Sequence, residues 1–183
     1  EKLIETNLIQ TVGYGLDPYT KKAVESVKSA CRSASADVHF LVGGTQTNVT
    51  VITAILRPHE GVLSADSGHI AVHETGAVEA TGHKVLILPN FDGKIMASQV
   101  EQYCQDFYDS TIQEHMVKPG MVYISFPTET GTVYTKKELI ELYNVCRTYH
   151  MPLFIDGARL GYGLASKEAN INLPTLTSLC DIF

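Results

Sequence analysis

Leu153-Phe154-Ile155-Asp156-Gly157-Ala158-Arg159-Leu160 is an apolar run that stops in an acid, a glycine and a base. Parallel strands of α/β folds are covered on both faces, and ligands bind outside their carboxyl ends. The stretch therefore reads as a buried strand that delivers Asp156 and Arg159 to a crevice. On these residues alone, an Asp–Arg ion pair closing a loop is an equal reading.

Working outward, the same pattern repeats upstream. Met121 to Phe126 is β-rich and apolar. The loop Pro127–Tyr134 follows it, and Leu139, Leu142, Tyr143 and Cys146 recur at helical spacing before Leu153. Val85-Leu86-Ile87-Leu88 is a strand ended by Pro89, and the Asp92-Gly93 turn leads to a helix through Val100, Cys104 and Phe107. Gly61 to Ala65 is another strand, with Asp66-Ser67-Gly68-His69 as its loop and Val72, Ala77 and Val78 on the following helix. Val38 to Val42 reads as a strand that stops at Gly43-Gly44-Thr45, before a helix through Val49, Ile52, Ile55 and Leu56. Asp17-Pro18 is an N-cap with proline in the first helical position, opening a helix to about Arg32. Strands alternating with helices predict one α/β domain, three layers deep (α/β/α), with a mainly parallel sheet.

The 183 residues are 44% hydrophobic and 19% charged, enough apolar material for one sizeable core. A net charge of −6 gives no basic footprint for nucleic acid and no polybasic surface for a membrane. The four cysteines lack the paired spacing of a metal site, so reduced thiols of a cytoplasmic protein are expected, with no disulfide and no metal. No secretory leader opens the chain, and no apolar run approaches the roughly 18 residues of a spanning helix. Glu1 stands in what reads as a helix already under way, and Cys180 to Phe183 as a strand beginning, so a fragment of a longer chain is expected.

Three loops carry candidate chemistry. Gly43-Gly44-Thr45, between a strand and a helix N-terminus, is a phosphate site by position, though a structural glycine turn is the plainer alternative. It is neither a dinucleotide fingerprint nor a P-loop. His69 follows a strand and a glycine and can stack on an aromatic ligand or move protons, or be a hydrogen-bonded structural histidine. Glu74, five residues on, need not share a face with it, and His73 and His83 read as surface or supporting groups. A phosphate cradle, an imidazole and an Asp with an Arg three residues later suit pyridoxal phosphate. Its pyridine nitrogen must stay protonated to withdraw electrons, and Asp156 could enforce that. Arg159 could clamp an amino-acid carboxylate.

The segments Phe40-Leu41-Val42-Gly43-Gly44-Thr45-Gln46-Thr47-Asn48, Gly68-His69-Ile70 with Glu74-Thr75-Gly76-Ala77, and Phe154 to Leu160 resemble, in that order, the threonine aldolase branch of the aromatic amino-acid β-eliminating lyase/threonine aldolase family. Tyr14-Gly15-Leu16-Asp17-Pro18 and Gly131-Thr132-Val133-Tyr134 resemble two further segments of that family, so the likeness runs along nearly the whole chain. The resemblance implies the large domain of a fold-type-I pyridoxal-phosphate enzyme, with seven strands when intact, one of them antiparallel. It implies that Gly44 and Thr45 hold the phosphate, that His69 stacks on the ring, that Asp156 pairs with its nitrogen and that Arg159 meets the substrate carboxylate. Where many relatives have Thr-His, this chain has Thr128-Glu129, which makes Glu129, with His69, a candidate for proton transfer. Family members continue past the strand matching Asp181-Ile182-Phe183 to a Gly-Thr-Lys segment whose lysine binds the cofactor. The expectation is that residues 1–183 are most of the large domain without that lysine or the smaller C-terminal domain, and that Lys167 does not replace it. The implied reaction is cleavage of the Cα–Cβ bond of a β-hydroxy-α-amino acid, threonine above all, by a homodimer or homotetramer. The alternatives are β-elimination on another amino acid and a non-catalytic assembly module that keeps the scaffold.

Overall fold

The computed structural model describes residues 1–183, which form two compact units, Glu1–Phe40 and Leu41–Phe183. The first unit is helical, with α1 (Lys2–Thr6) and α2 (Pro18–Cys31). The start of α2 is set by Asp17. Its Oδ1 accepts from the backbone N–H groups of Tyr19 and Thr20, both at 2.9 Å, while Pro18 supplies the fixed φ of a first helical residue. Arg32, in the left-handed region at φ 54°, ends it.

The second unit carries the sheet. Its elements are α3 (Gly44–Ile55), β1 (Glu60–Ala65), α4 (His69–Val72), β2 (Val85–Leu88), α5 (Ala97–Tyr108), β3 (Lys118–Ser125), α6 (Lys136–Thr148), β4 (Leu153–Asp156), α7 (Leu160–Ala165) and α8 (Leu173–Thr177). The four strands lie in the order β2-β1-β3-β4, all parallel. Phe154 adds a single parallel bridge to Ile182, where the sequence predicts a further strand.

Alternation along each strand builds two cores. Val62, Val85, Met121, Tyr123 and Phe154 pack with Ile52 of α3 and Leu56 just after it, while Leu63, Leu86, Val122, Ile124, Leu153 and Ile155 pack with α5 and α6 through Cys104, Leu139, Leu142 and Cys146. The α/β/α layering is therefore that expected from the sequence.

Two expectations change. Val38 to Val42 is not a strand: it pairs with nothing, and Phe40 and Val42 are exposed. Nor does one helix run from Val72 to Val78. It stops after Val72, because Thr75 (φ 52°) and Gly76 (φ 76°) take left-handed conformations that no helix continues through.

From β1 the chain moves outward to β2 and then crosses back past β1 to β3, so the direction of winding reverses between β1 and β3. Open parallel sheets hold ligands at that switch point, outside the carboxyl ends of the strands.

Candidate active site

The loops that leave β1, β3 and β4 and the first turn of α3 meet at the switch point. They line an open cleft walled by Gly44, Asn48, His69, Glu74, Ser125, Pro127, Glu129, Asp156, Ala158 and Arg159.

Asp156, the last residue of β4, is held by three donors. Oδ2 accepts from the Tyr123 hydroxyl at 2.6 Å and from Asn48 Nδ2 at 3.1 Å, and Oδ1 accepts from Ala158 N–H at 3.0 Å. Tyr123 reaches it because β3 and β4 pair Tyr123 with Phe154 and Ser125 with Asp156, which aligns alternate residues on one face. Burial pushes the Tyr123 phenol far up, and the charge of Asp156 adds to the effect, so Tyr123 stays a neutral donor. Asp156 does not pair with Arg159. That guanidinium is exposed at the cleft wall and finds no carboxylate partner within the chain, which removes the plainer reading of the pair.

Helix α3 starts at Gly44 with Gly43 as an N-cap that supplies no side-chain oxygen. The backbone N–H groups of Gly44 and Thr45 are left without a partner, and a Cβ at Gly43 or Gly44 would meet nothing within 4 Å. The result is an open helix N-terminus, where free N–H groups and the helix dipole favour an anion. Gly44 lies in the cleft wall, and Thr45 follows it in the same turn but outside the wall.

His69 and Glu74 do meet. Because the helix breaks after Val72, the Glu74 side chain turns back, and His69 Nδ1 donates to Glu74 Oε1 at 2.9 Å. The Glu74 side chain is fully buried, and its Oε2 has no partner. Asn48, itself buried, joins the two carboxylates: Nδ2 donates to Glu74 Oε1 at 2.7 Å as well as to Asp156.

Glu129 holds the other side of His69. Its Oε1 accepts from the His69 backbone N–H at 3.1 Å and from Ser125 Oγ at 2.5 Å. His83, read as a surface or supporting group, is buried away from the cleft wall, with Nδ1 against the Glu60 carbonyl at 3.1 Å. No group of three or more His, Cys, Asp and Glu is arranged to hold a metal, and no helix is long and apolar enough to cross a membrane.

The sequence reading therefore brings His69, Glu129, Gly44, Asp156 and Arg159 to one cleft and misses Asn48, Glu74 as the partner of His69, and Tyr123. A signal for Asn48 was present. It stands four residues before Ile52 on the buried face of α3, where an amide needs a partner.

A family model for beta-eliminating lyases matches residues 7–183. The chain belongs to the beta-eliminating lyase family. Among curated relatives, the low specificity L-threonine aldolase of Pseudomonas aeruginosa is 27% identical over 165 residues, 89% of this chain and 46% of that protein. The enzyme of the same name from a Pseudomonas species is 27% identical over 154 residues, 83% of this chain and 43% of its own length. Among solved structures, the threonine aldolase of Leishmania major superposes with a TM-score of 0.93 at 42% identity, over 98% of this chain and 52% of that one. The chain thus spans about half the length of the relatives it matches. The family places the observed α/β/α sheet among fold-type-I architectures.

Proposed function

We propose that the whole protein is a pyridoxal-phosphate-dependent lyase that cleaves the Cα–Cβ bond of a β-hydroxy-α-amino acid, with threonine as its substrate, giving glycine and acetaldehyde. The observation that carries this reading is the meeting, in one cleft, of an uncapped helix N-terminus, an imidazole, a strand-end carboxylate with three donors and an unpaired guanidinium. The threonine aldolases among its relatives support the choice of substrate.

The residues present fit the cofactor. The free N–H groups of Gly44 and Thr45 suit its phosphate, the open space over Gly43 and Gly44 leaves room for it, and Asp156 lies across the same cleft as the acceptor for a protonated ring nitrogen. Bound there, pyridoxal phosphate supplies a sink for the electron pair left on the substrate α-carbon.

The chain's own groups do the rest. Asp156, with Tyr123, Asn48 and Ala158 as donors, would accept from the protonated ring nitrogen. His69 would cover the ring and take the β-hydroxyl proton, the O–H pair becoming the carbonyl π bond of the aldehyde as the Cα–Cβ bond breaks. Arg159 grips the substrate carboxylate through paired N–H donors. Glu129, with Oε1 already engaged, fixes the backbone of His69 and lines the β side of the substrate. A homodimer or homotetramer in the cytoplasm completes the reading.

The test is product analysis of the whole protein with pyridoxal phosphate and, in turn, threonine, serine and cysteine. Acetaldehyde and glycine in equal amounts from threonine are expected. Pyruvate without aldehyde would replace this reading with β-elimination, and no product from any of them would favour a non-catalytic scaffold.

A further inference from the structure

We infer that Glu74 and Asn48 are positioning residues that present His69 to the cleft with Nε2 unprotonated, which makes His69 the base for the β-hydroxyl. The inference rests on the lyase reading above and adds two residues to it.

A carboxylate can only accept, so the 2.9 Å contact to Glu74 Oε1 places the proton of a neutral His69 on Nδ1. Nε2 is then the ring nitrogen without a partner in the chain, on a side chain that is 41% exposed at the cleft. The backbone N–H of the same residue is fixed by Glu129, so ring and main chain are held independently.

Glu74 is also poised for charge. Its side chain is 0% exposed, both of its donors converge on Oε1, and Oε2 is bare. An ionised carboxylate so poorly solvated is costly. An imidazolium formed at His69 lies against the buried Glu74 Oε1, the arrangement of a base held by a buried acid. As the O–H bond of the substrate breaks and Nε2–H forms, the imidazolium lies against Glu74. The proton then passes to the α-carbon as glycine forms, and His69 ends neutral.

Asn48 makes this arrangement compatible with Asp156. One buried amide nitrogen gives a hydrogen to each carboxylate, at 2.7 and 3.1 Å, and so separates two anions without adding a titratable group.

The experiment compares Glu74→Gln and Glu74→Leu in the whole protein. Gln keeps an acceptor for Nδ1–H and removes the charge, whereas Leu removes both. Ring ¹⁵N NMR in alkaline solution, with no cofactor or substrate, reports the His69 tautomer, and steady-state kinetics on threonine reports kcat and KM. The Nδ1–H tautomer is expected in the unsubstituted protein and in Glu74→Gln, with a shift toward Nε2–H in Glu74→Leu. For Glu74→Gln, kcat is expected to fall roughly 10- to 100-fold while KM changes less than about threefold, a loss confined to proton transfer. An Nε2–H tautomer in the unsubstituted protein, or an undiminished kcat in Glu74→Gln, would overturn the inference. The tautomer decides the positioning claim even if the unsubstituted protein forms no aldehyde, an outcome that would instead remove the lyase reading and the base role with it.

Discussion

Replacing Tyr123 with Phe removes one oxygen from the centre of the site and little else. The ring is 1% exposed and packs edge-on against Phe154, with centroids 5.4 Å apart at 80°, contacts that Phe preserves. What disappears is the 2.6 Å hydrogen bond to Asp156 Oδ2, leaving that oxygen with Asn48 alone. Hydrogen bonds to charged groups contribute about 1.5–3 kcal/mol. Asp156 is only partly buried, so water can replace the lost donor and the lower end applies, about 1.5–2 kcal/mol. With a urea m-value of roughly 2 kcal/mol/M, the unfolding midpoint should fall by about 0.7–1 M at unchanged slope. Tyr123 remains a neutral donor well into alkali because burial and the charge of Asp156 push its phenol up, so the difference between the two proteins should be the same at pH 7 as in mild alkali. A midpoint shift below about 0.2 M would show that Tyr123 does not hold Asp156.

Other expectations follow from the same geometry. Arg159→Ala should raise KM for threonine roughly 10- to 100-fold with a smaller effect on kcat, since the guanidinium has no structural partner to lose; an unchanged KM in steady-state assays would remove its role. Gly68→Ala should destabilise the protein by about 1–3 kcal/mol in urea, because a Cβ would collide with Ser64 Oγ and come within 3.0 Å of the Ala65 carbonyl just before His69. For Glu138, burial alone raises the carboxyl, but the Thr135 backbone N–H and Lys94 more than offset it and leave the folded value low. Its contribution is therefore complete above the ordinary carboxylate range, about pH 4–5, and is lost as pH falls through the lower folded value. Glu138→Gln should thus be less stable at neutral pH and show a shallower acid limb in pH-dependent melting. Burial pushes the Cys104 thiol to about 11 and the Cys146 thiol to about 12, so iodoacetamide at neutral pH should spare both in the native protein and label both in urea, as mass spectrometry would read.

The strands whose faces are set by their own residues are legible in the sequence. Val85–Leu88 and Leu153–Asp156 appear with the boundaries that apolar runs and flanking turn residues imply. Val38–Val42 has the same local chemistry, yet no neighbouring strand accepts its hydrogen bonds, and a strand exists only with a partner. The site was half legible for a related reason. Gly44, His69, Asp156 and Arg159 lie at element ends, which punctuation in the sequence marks. Glu74, five residues after His69, had no need to share a face with it on a continuing helix. Left-handed Thr75 and Gly76 end that geometry, and only then does the carboxylate reach the imidazole. Tyr123 looks like a core aromatic in an apolar strand, and its hydroxyl acquires a role only when strand register sets it beside Asp156.

If the lyase reading holds, the cleft at the switch point is the seat of pyridoxal phosphate. A crystal structure of the whole protein with that cofactor tests it most directly. The phosphate is expected against the N–H groups of Gly44 and Thr45, the ring nitrogen in hydrogen-bonding reach of Asp156, and the His69 imidazole over the ring. A cofactor bound elsewhere, or one in this cleft with its nitrogen turned away from Asp156, would contradict it.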